Sequence, residues 1–280
     1  MTRAHGRRPP PRKTIPERRR DAEAKSDGVA LLYGAHTVRE ALLAGKRELL
    51  ALHATENAWP RIAEEASRAG LEPRLVEVRE LTRRLGEEAV HQGLLLEAGP
   101  LPELALGEIE TRSGIVLVLD QITDPHNVGA MLRSAAAFAA DAAVVTERHG
   151  PQLSGALAKA ASGALEHVPI VTVVNLARSL EQLSRQGFWL VGLDSEGETD
   201  LEEAPLRAPV ALVLGAEGKG LRRLTRERCD VVARLDMPGP IKSLNVSNAC
   251  AIALSVLRRR LASLEPKRKK APPGVEPDGA

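Results

Sequence analysis

The chain has 280 residues, 43% of them hydrophobic and 27% charged, with a formal net charge of +2. That length and composition suit two soluble domains with real cores. No apolar run approaches the ~18 residues of a membrane helix, and residues 1–20 lack the apolar stretch of a secretory signal, so a cytoplasmic protein is expected. Glu17, Asp21 and Glu23 also speak against an organelle transit peptide. Cys229 and Cys250 stand alone, outside any CxxC or His cluster, which predicts free thiols and no metal site.

The charge is unevenly spread. Residues 1–27 carry +5 and residues 258–280 carry +4, which leaves the stretch between them at −7. Basic ends suit a polyanion, most simply nucleic acid, or serve only as solvated tails. The five aromatics (Tyr33, Trp59, Phe138, Phe188 and Trp189) are too few for a base-stacking platform. RNA, if bound, would be held through phosphates, shape and a few polar contacts.

In chain order, residues 1–27 read as a disordered basic tail. Residues 28–98 suit a small α/β unit: helix over 37–44, strand over 49–54, helix over 60–69, and strands over 74–78 and 93–97. Residues 99–112 read as a linker. From residue 115 the pattern alternates. Apolar runs at 115–119, 142–146, 168–173, 188–193, 210–214 and 231–235 predict strands covered on both faces. Helical segments over 128–139, 152–165, 176–186 and 221–228 separate most of them, and a last helix over 245–264 buries one stripe. This is an α/β fold with a mostly parallel sheet over 113–264, followed by a disordered tail at 265–280.

Three short runs carry the chemistry: Asp124-Pro-His-Asn-Val-Gly-Ala-Met-Leu-Arg133, Leu214-Gly-Ala-Glu-Gly-Lys-Gly220 and Ser243-Leu-Asn-Val-Ser247. Each follows an apolar run, and in parallel α/β sheets ligands sit beyond the carboxyl ends of strands. Gly215, Gly218 and Gly220 would let a ligand approach the backbone. The run is no nucleotide P-loop, because Lys219 is followed by Gly220. The absence of a GxGxxG after the first parallel strand makes a dinucleotide oxidoreductase a poor reading. Asn127 and Arg133 lie six apart and would share a site if Asn127 capped the helix and Arg133 bent back. Arg133 could instead pair with Glu217. Ser243 and Asn245 both suit a helix start, so one could be only a cap, and His126 reads as a turn residue.

Together these runs resemble the SpoU (TrmH) family of RNA ribose 2′-O-methyltransferases of the SPOUT superfamily. The family pattern Asn-x-Gly-x-x-x-Arg falls on Asn127, Gly129 and Arg133. Gly-x-Glu-x-x-Gly falls on Gly215, Glu217 and Gly220, and Ser-Leu-Asn-Val-Ser on Ser243 to Ser247. The runs Tyr33-Gly-Ala-His-Thr-Val-Arg-Glu-Ala-Leu42 and Val90-His-Gln-Gly93 look like the small RNA-binding domain, similar to a ribosomal-protein fold, of the RlmB-type 23S ribosomal RNA guanosine methyltransferases. The resemblance implies a C-terminal SPOUT domain with a deep trefoil knot, S-adenosylmethionine as cofactor, and a homodimer formed through that domain. It implies catalytic roles for Asn127, Arg133, Glu217, Ser243 and Asn245. Gly215, Leu235 and Leu244 would line the cofactor, with Gly220, Met237, Thr172 and Leu193 beside them. The chain departs from the family pattern at Asp236, where proline is usual, and at Asn248, where a small apolar residue is usual.

The implied reaction moves a methyl from a sulfonium to a ribose 2′-OH. Arg133, too basic to take a proton readily, is expected to hold an RNA phosphate and lower the hydroxyl's pKa. Asn127 would orient it or the ribose, and Glu217 would fix either of these. Ser243 and Asn245 would bind the acceptor or cap the last helix. The rivals are a transfer-RNA ribose methyltransferase and a non-catalytic RNA-binding or ribosome-assembly protein.

Overall fold

The computed structural model describes residues 28–148, 150–151 and 155–264, so both expected tails and the start of the helix predicted over 152–165 lie outside the described residues. The first unit runs β1 (Ala30–Tyr33), α1 (Ala35–Ala44), β2 (Leu49–Ala54), α2 (Ala63–Arg68), β3 (Pro73–Leu75), α3 (Val78–Leu85) and β4 (Leu94–Ala98). Its sheet has the order β1-β4-β2-β3, antiparallel except for the β2–β3 pair. Val38, Ala41 and Leu42 of α1 and Ala66 of α2 are buried in one cluster with Leu32, Leu52, Leu94 and Leu96 of the strands. The strand expected over 74–78 is shorter, and Val78 opens a helix whose Leu81 is fully buried.

The second unit runs β5 (Ile115–Asp120), α4 (Pro125–Ala137), β6 (Ala142–Thr146), α5 (Gly155–Ala161), β7 (Ile170–Val173), α6 (Leu176–Arg185), β8 (Trp189–Leu193), β9 (Thr199–Asp200), β10 (Val210–Gly215), α7 (Arg223–Arg226), β11 (Val231–Arg234) and α8 (Val246–Leu264). The order β7-β6-β5-β10-β8-β11-β9 is parallel at every pairing. Both faces are covered. Along β5, Ile115, Leu117 and Leu119 enter the cluster that holds Met131 of α4, Leu157 of α5 and Leu257 of α8. Val116 and Val118 enter a second cluster with Leu176, Leu180 and Leu183 of α6. Side chains alternate across a strand, so burial on both faces requires an unbroken apolar run, and this is what the sequence carries.

The helix expected over 221–228 contracts to the four residues of α7. The three arginines that open the basic C-terminal stretch belong to α8, and Arg258 and Arg260 turn toward the folded body while Arg259 stays on the surface. Arg258 donates to Ser113 O and Arg260 to Leu201 O, while Arg259 pairs with Glu202. That part of the charge serves the folded body. No helix among the described residues is long and apolar enough to cross a membrane.

α4 and α5 meet at Gly129. A Cβ there would overlap the Ala160 side chain and lie 2.7 Å from Ala160 C and 2.8 Å from Ala161 N. Helix propensity alone would favour alanine over glycine by about 1 kcal/mol. The obstacle here is backbone, which cannot swing aside. Gly129→Ala should therefore destabilise the chain, by about 1–3 kcal/mol in a urea melt, despite the better helix former.

Candidate active site at the carboxyl ends of the strands

α4 starts earlier than expected. Asp124 is its N-cap, accepting from His126 N at 3.0 Å, and Pro125 occupies the first turn with no N–H to satisfy. Asn127 is therefore not the cap. It sits inside the first turn, which frees its side chain for another partner. His126 is likewise helical rather than part of an open turn.

That partner is Asn245, 118 residues later. Asn245 Nδ2 donates to Asn127 Oδ1 at 3.0 Å. Asn245 Oδ1 accepts from Ser247 N at 2.9 Å and from Ser247 Oγ at 2.6 Å, and so caps the start of α8. One amide thus joins the first and third runs and starts the last helix. The connection has a topological cause. β11 lies beyond β8 and β10 from β5, so residues 235–245 must cross the carboxyl ends of those strands to reach α4.

The second run stands at the end of β10, and Gly215 pairs with Asp120 at the end of β5. It is a tight loop closed by a bridge between Ala216 and Gly220, with Gly220 N donating to Ala216 O at 3.0 Å. Gly218 and Gly220 have φ of 76° and 62°, the left-handed region that glycine tolerates. A Cβ on Gly215 would lie 2.5 Å from Leu221 N and overlap the Gly220 carbonyl.

Two buried carboxylates hold this loop, and neither was singled out from the sequence. Asp194, just past β8, accepts Leu221 N at 3.1 Å and Glu196 N at 2.9 Å, and pairs with Arg226 at 2.9 Å. Asp120 accepts Thr225 Oγ1 at 2.7 Å and pairs with Arg222 at 2.7 Å. Their side chains are 8% and 0% exposed, so α7 and the glycine loop are pinned by charges sheltered from water. A signal existed in the sequence, because each aspartate ends an otherwise apolar strand run. Burial opposes ionisation of Asp194, but the Glu196 and Leu221 N–H groups and the Arg226 guanidinium outweigh it and hold the carboxyl below the ordinary aspartate value. Burial, mainly, pushes the Cys229 and Cys250 thiols up to about 12, which keeps both protonated at neutral pH.

The remaining candidates divide by position. Leu193, Gly215 and Leu235 stand at or next to the ends of the adjacent strands β8, β10 and β11. Met237 and Leu244 lie on the crossing segment, half-buried and 40% exposed respectively. Thr172 does not join them. It shares their row through Val145, Leu119 and Leu214, but β6 and β5 intervene, about 14 Å from β10 at the usual strand spacing. Arg133, Glu217 and Ser243 are exposed and make no side-chain ion pair or hydrogen bond among the described residues. The expected Arg133–Glu217 pair is absent from this geometry. The described residues also contain no group of three or more His, Cys, Asp or Glu that could hold a metal.

A lowered carboxylate pKa makes the folded state lose stability on acidification. The contribution of Asp194 is complete above the ordinary aspartate pKa and disappears as the pH falls through its depressed folded value. Asp194→Asn should lower the melting temperature at neutral pH and flatten the acid limb of a plot of melting temperature against pH.

Known proteins share this chain's sequence patterns and fold. Residues 114–255 match the SpoU rRNA methylase family, and residues 31–104 match the RNA 2′-O ribose methyltransferase substrate-binding family. The chain is 46% identical over 186 residues to the 23S rRNA (guanosine-2′-O-)-methyltransferase RlmB of Pseudomonas syringae pv. tomato, a span covering 64% of this chain and 74% of that one. It is 36% identical over 239 residues to the enzyme of the same name from Coxiella burnetii, covering 82% and 95%. Among solved structures, an RNA 2′-O ribose methyltransferase superposes with a TM-score of 0.70 at 29% identity, covering 88% of this chain and 93% of that one. AviRb of Streptomyces viridochromogenes, a SpoU methyltransferase, shares the fold with a TM-score of 0.73 at 21% identity, covering 87% and 97%. The matched region spans half of the sequence and contains all three convergent runs: the chain belongs to the SpoU rRNA methylase family.

Proposed function

We propose that this protein transfers a methyl group from S-adenosylmethionine to the ribose 2′-OH of a guanosine in 23S ribosomal RNA. The observation that carries the reading is the Asn127–Asn245 bond. It brings the first and third family runs into contact beyond the strand ends, on the side where the glycine loop leaves β10. The relatives named as 23S rRNA guanosine methyltransferases, and the substrate-binding match over 31–104, support the choice of RNA. No observation favours transfer RNA over it.

The rim fits the cofactor in two respects. The loop stays narrow because the Gly220 carbonyl and Leu221 N take the place a Gly215 side chain would fill, and Gly218 stands in open space with no side chain to hinder a ligand. Leu193, Leu235 and Met237 are half-covered and Leu244 is exposed, an apolar lining that a single chain leaves open. The backbones of Gly215 and Gly220 and these apolar side chains would hold S-adenosylmethionine, which supplies an electrophilic methyl on sulfonium sulfur. Arg133 has no side-chain partner among the described residues, which leaves it available to an RNA phosphate, and its cation would favour the alkoxide as the 2′-OH loses its proton. Asn127, held by Asn245, keeps one amide hydrogen-bonding group for the acceptor ribose. Glu217 and Ser243 face solvent; Ser243 would meet the acceptor, and Glu217, which does not reach Arg133 in the free chain, would act only once substrate is bound.

The knotted threading and the homodimer belong to this proposal. The passage of residues 235–245 across β8 and β10 back to α4 supports the first. Exposed Ile241, Leu244 and Ile252, on the crossing segment and α8, support the second, because a second copy would cover them.

Mass spectrometry of 23S rRNA from cells lacking the protein tests the substrate: one guanosine should lose its ribose methyl, and an unchanged map would refute the assignment. Arg133→Ala should lower the methylation rate about 100- to 1,000-fold while S-adenosylmethionine affinity by calorimetry stays within a few-fold. Asn245→Ala should weaken both, because it frees Asn127 and uncaps α8.

A further inference from the structure

The two units share one apolar cluster, and along their seam stands a buried ion pair. Arg47, in the turn between α1 and β2, places Nε 2.8 Å from Glu166 Oε1, with side chains only 5% and 2% exposed. The same guanidinium donates from Nη1 to Gly99 O at 3.1 Å, where the chain leaves β4 for the connecting segment. On either side, His167 contacts Glu40 at 2.8 Å, Lys159 Nζ donates to Gln92 Oε1 at 3.2 Å, and Thr37 Oγ1 donates to Ala158 O at 3.4 Å. Every partner from the second unit falls within residues 158–167. That stretch packs on α4, the helix of Asn127 and Arg133, through the Gly129–Ala160 approach.

Such a pair is a poor source of stability. Desolvating two charges offsets most of their attraction, and well-packed apolar residues would seal the seam as well or better. The cost is evident here, since Glu166 Oε2 is buried with no hydrogen-bond partner among the described residues. What the pair supplies is direction. A planar guanidinium bound at once to a carboxylate of one unit and a carbonyl at the exit of the other tolerates little rotation between them. A greasy contact of equal area would allow sliding.

We propose that Arg47 and Glu166 are positioning residues that set which ribose reaches the active site, by holding the RNA-binding unit at one angle to α4. The proposal rests on the reading of the chain as an RNA methyltransferase with its substrate gripped by the first unit. RNA held there meets Asn127 and Arg133 only at the distance this seam allows. Loss of the angle should therefore lower turnover and leave each unit's own ligand binding in place.

The test uses the full chain as wild type, Arg47→Met, Glu166→Gln and the double variant Arg47→Met/Glu166→Met. Four quantities are read: melting temperature, S-adenosylmethionine affinity, methylation kinetics on rRNA from cells lacking the protein, and the distance distribution between nitroxides at Glu87→Cys and Glu203→Cys, which lie on separate units. Both single variants should keep cofactor affinity within about twofold, broaden the distance distribution and lose about 10- to 100-fold in kcat with little change in KM for RNA. The double variant should recover the melting temperature, because no unpaired charge remains, but keep the broad distribution and the low kcat. Recovery of kcat along with stability would reduce the pair to a structural role and overturn the proposal. So would single variants with a narrow distribution and unchanged kcat. If Arg47→Met fails to fold, Glu166→Gln decides by the same criteria. A wild-type chain that leaves rRNA unmethylated refutes the functional reading instead, while the distance distributions still report whether the seam fixes the angle.

Discussion

The side-chain amide of Asn245 performs two tasks that few residues can combine. Its oxygen caps α8 and its nitrogen reaches Asn127. An aspartate would lack the donor, and a serine would lack the reach to serve both ends. The position requires this pairing because the sheet separates the two partners widely in sequence and then brings the chain back across its strand ends. The crossing segment is mostly exposed and has no regular structure. Its far end is fixed chiefly by this bond and by the burial of Val246 and Cys250 behind it.

The glycine loop is held differently. Backbone meets backbone at Gly215 and Gly220, so the loop has no side chains of its own to anchor it. Asp194 and Asp120 compensate from neighbouring strand ends, gripping Leu221 N, Thr225 and the guanidinium groups of Arg222 and Arg226. Lys219 N and Gly220 N donate to Ala216 O, and Leu221 N donates to Asp194, so the loop's own bonds and the buried carboxylates together supply its rigidity.

Sequence patterning revealed the parallel sheet almost completely, because a strand buried on both faces must be apolar throughout. The run 142–146 coincides with β6, and most other runs differ at their ends by a residue or two. The first unit was less legible. β1 has only four residues, and α3 displays so few apolar positions among its charges that its stripe is faint. At the site, the three runs could be read as loops at strand ends, but strand order is absent from spacing. Thr172 therefore looked equivalent to Leu193, although it lies near the opposite edge. Asn127 looked like a cap until Asp124 and Pro125 took the helix start. Asp120 and Asp194 escaped notice because a charged residue ending a strand is common and its partners lie far away in sequence.

The crossing segment also dictates an order of assembly. Asn245 can meet Asn127 only after β10 and β8 are in place for residues 235–245 to pass over, and a contact spanning 118 residues closes slowly in any chain. During synthesis, every strand of the large sheet emerges before the residue that completes the site. A nascent chain that has not yet released α8 can therefore hold a nearly finished fold with its first and third runs still apart. Activity would arrive last, with the final helix, and not gradually with the fold.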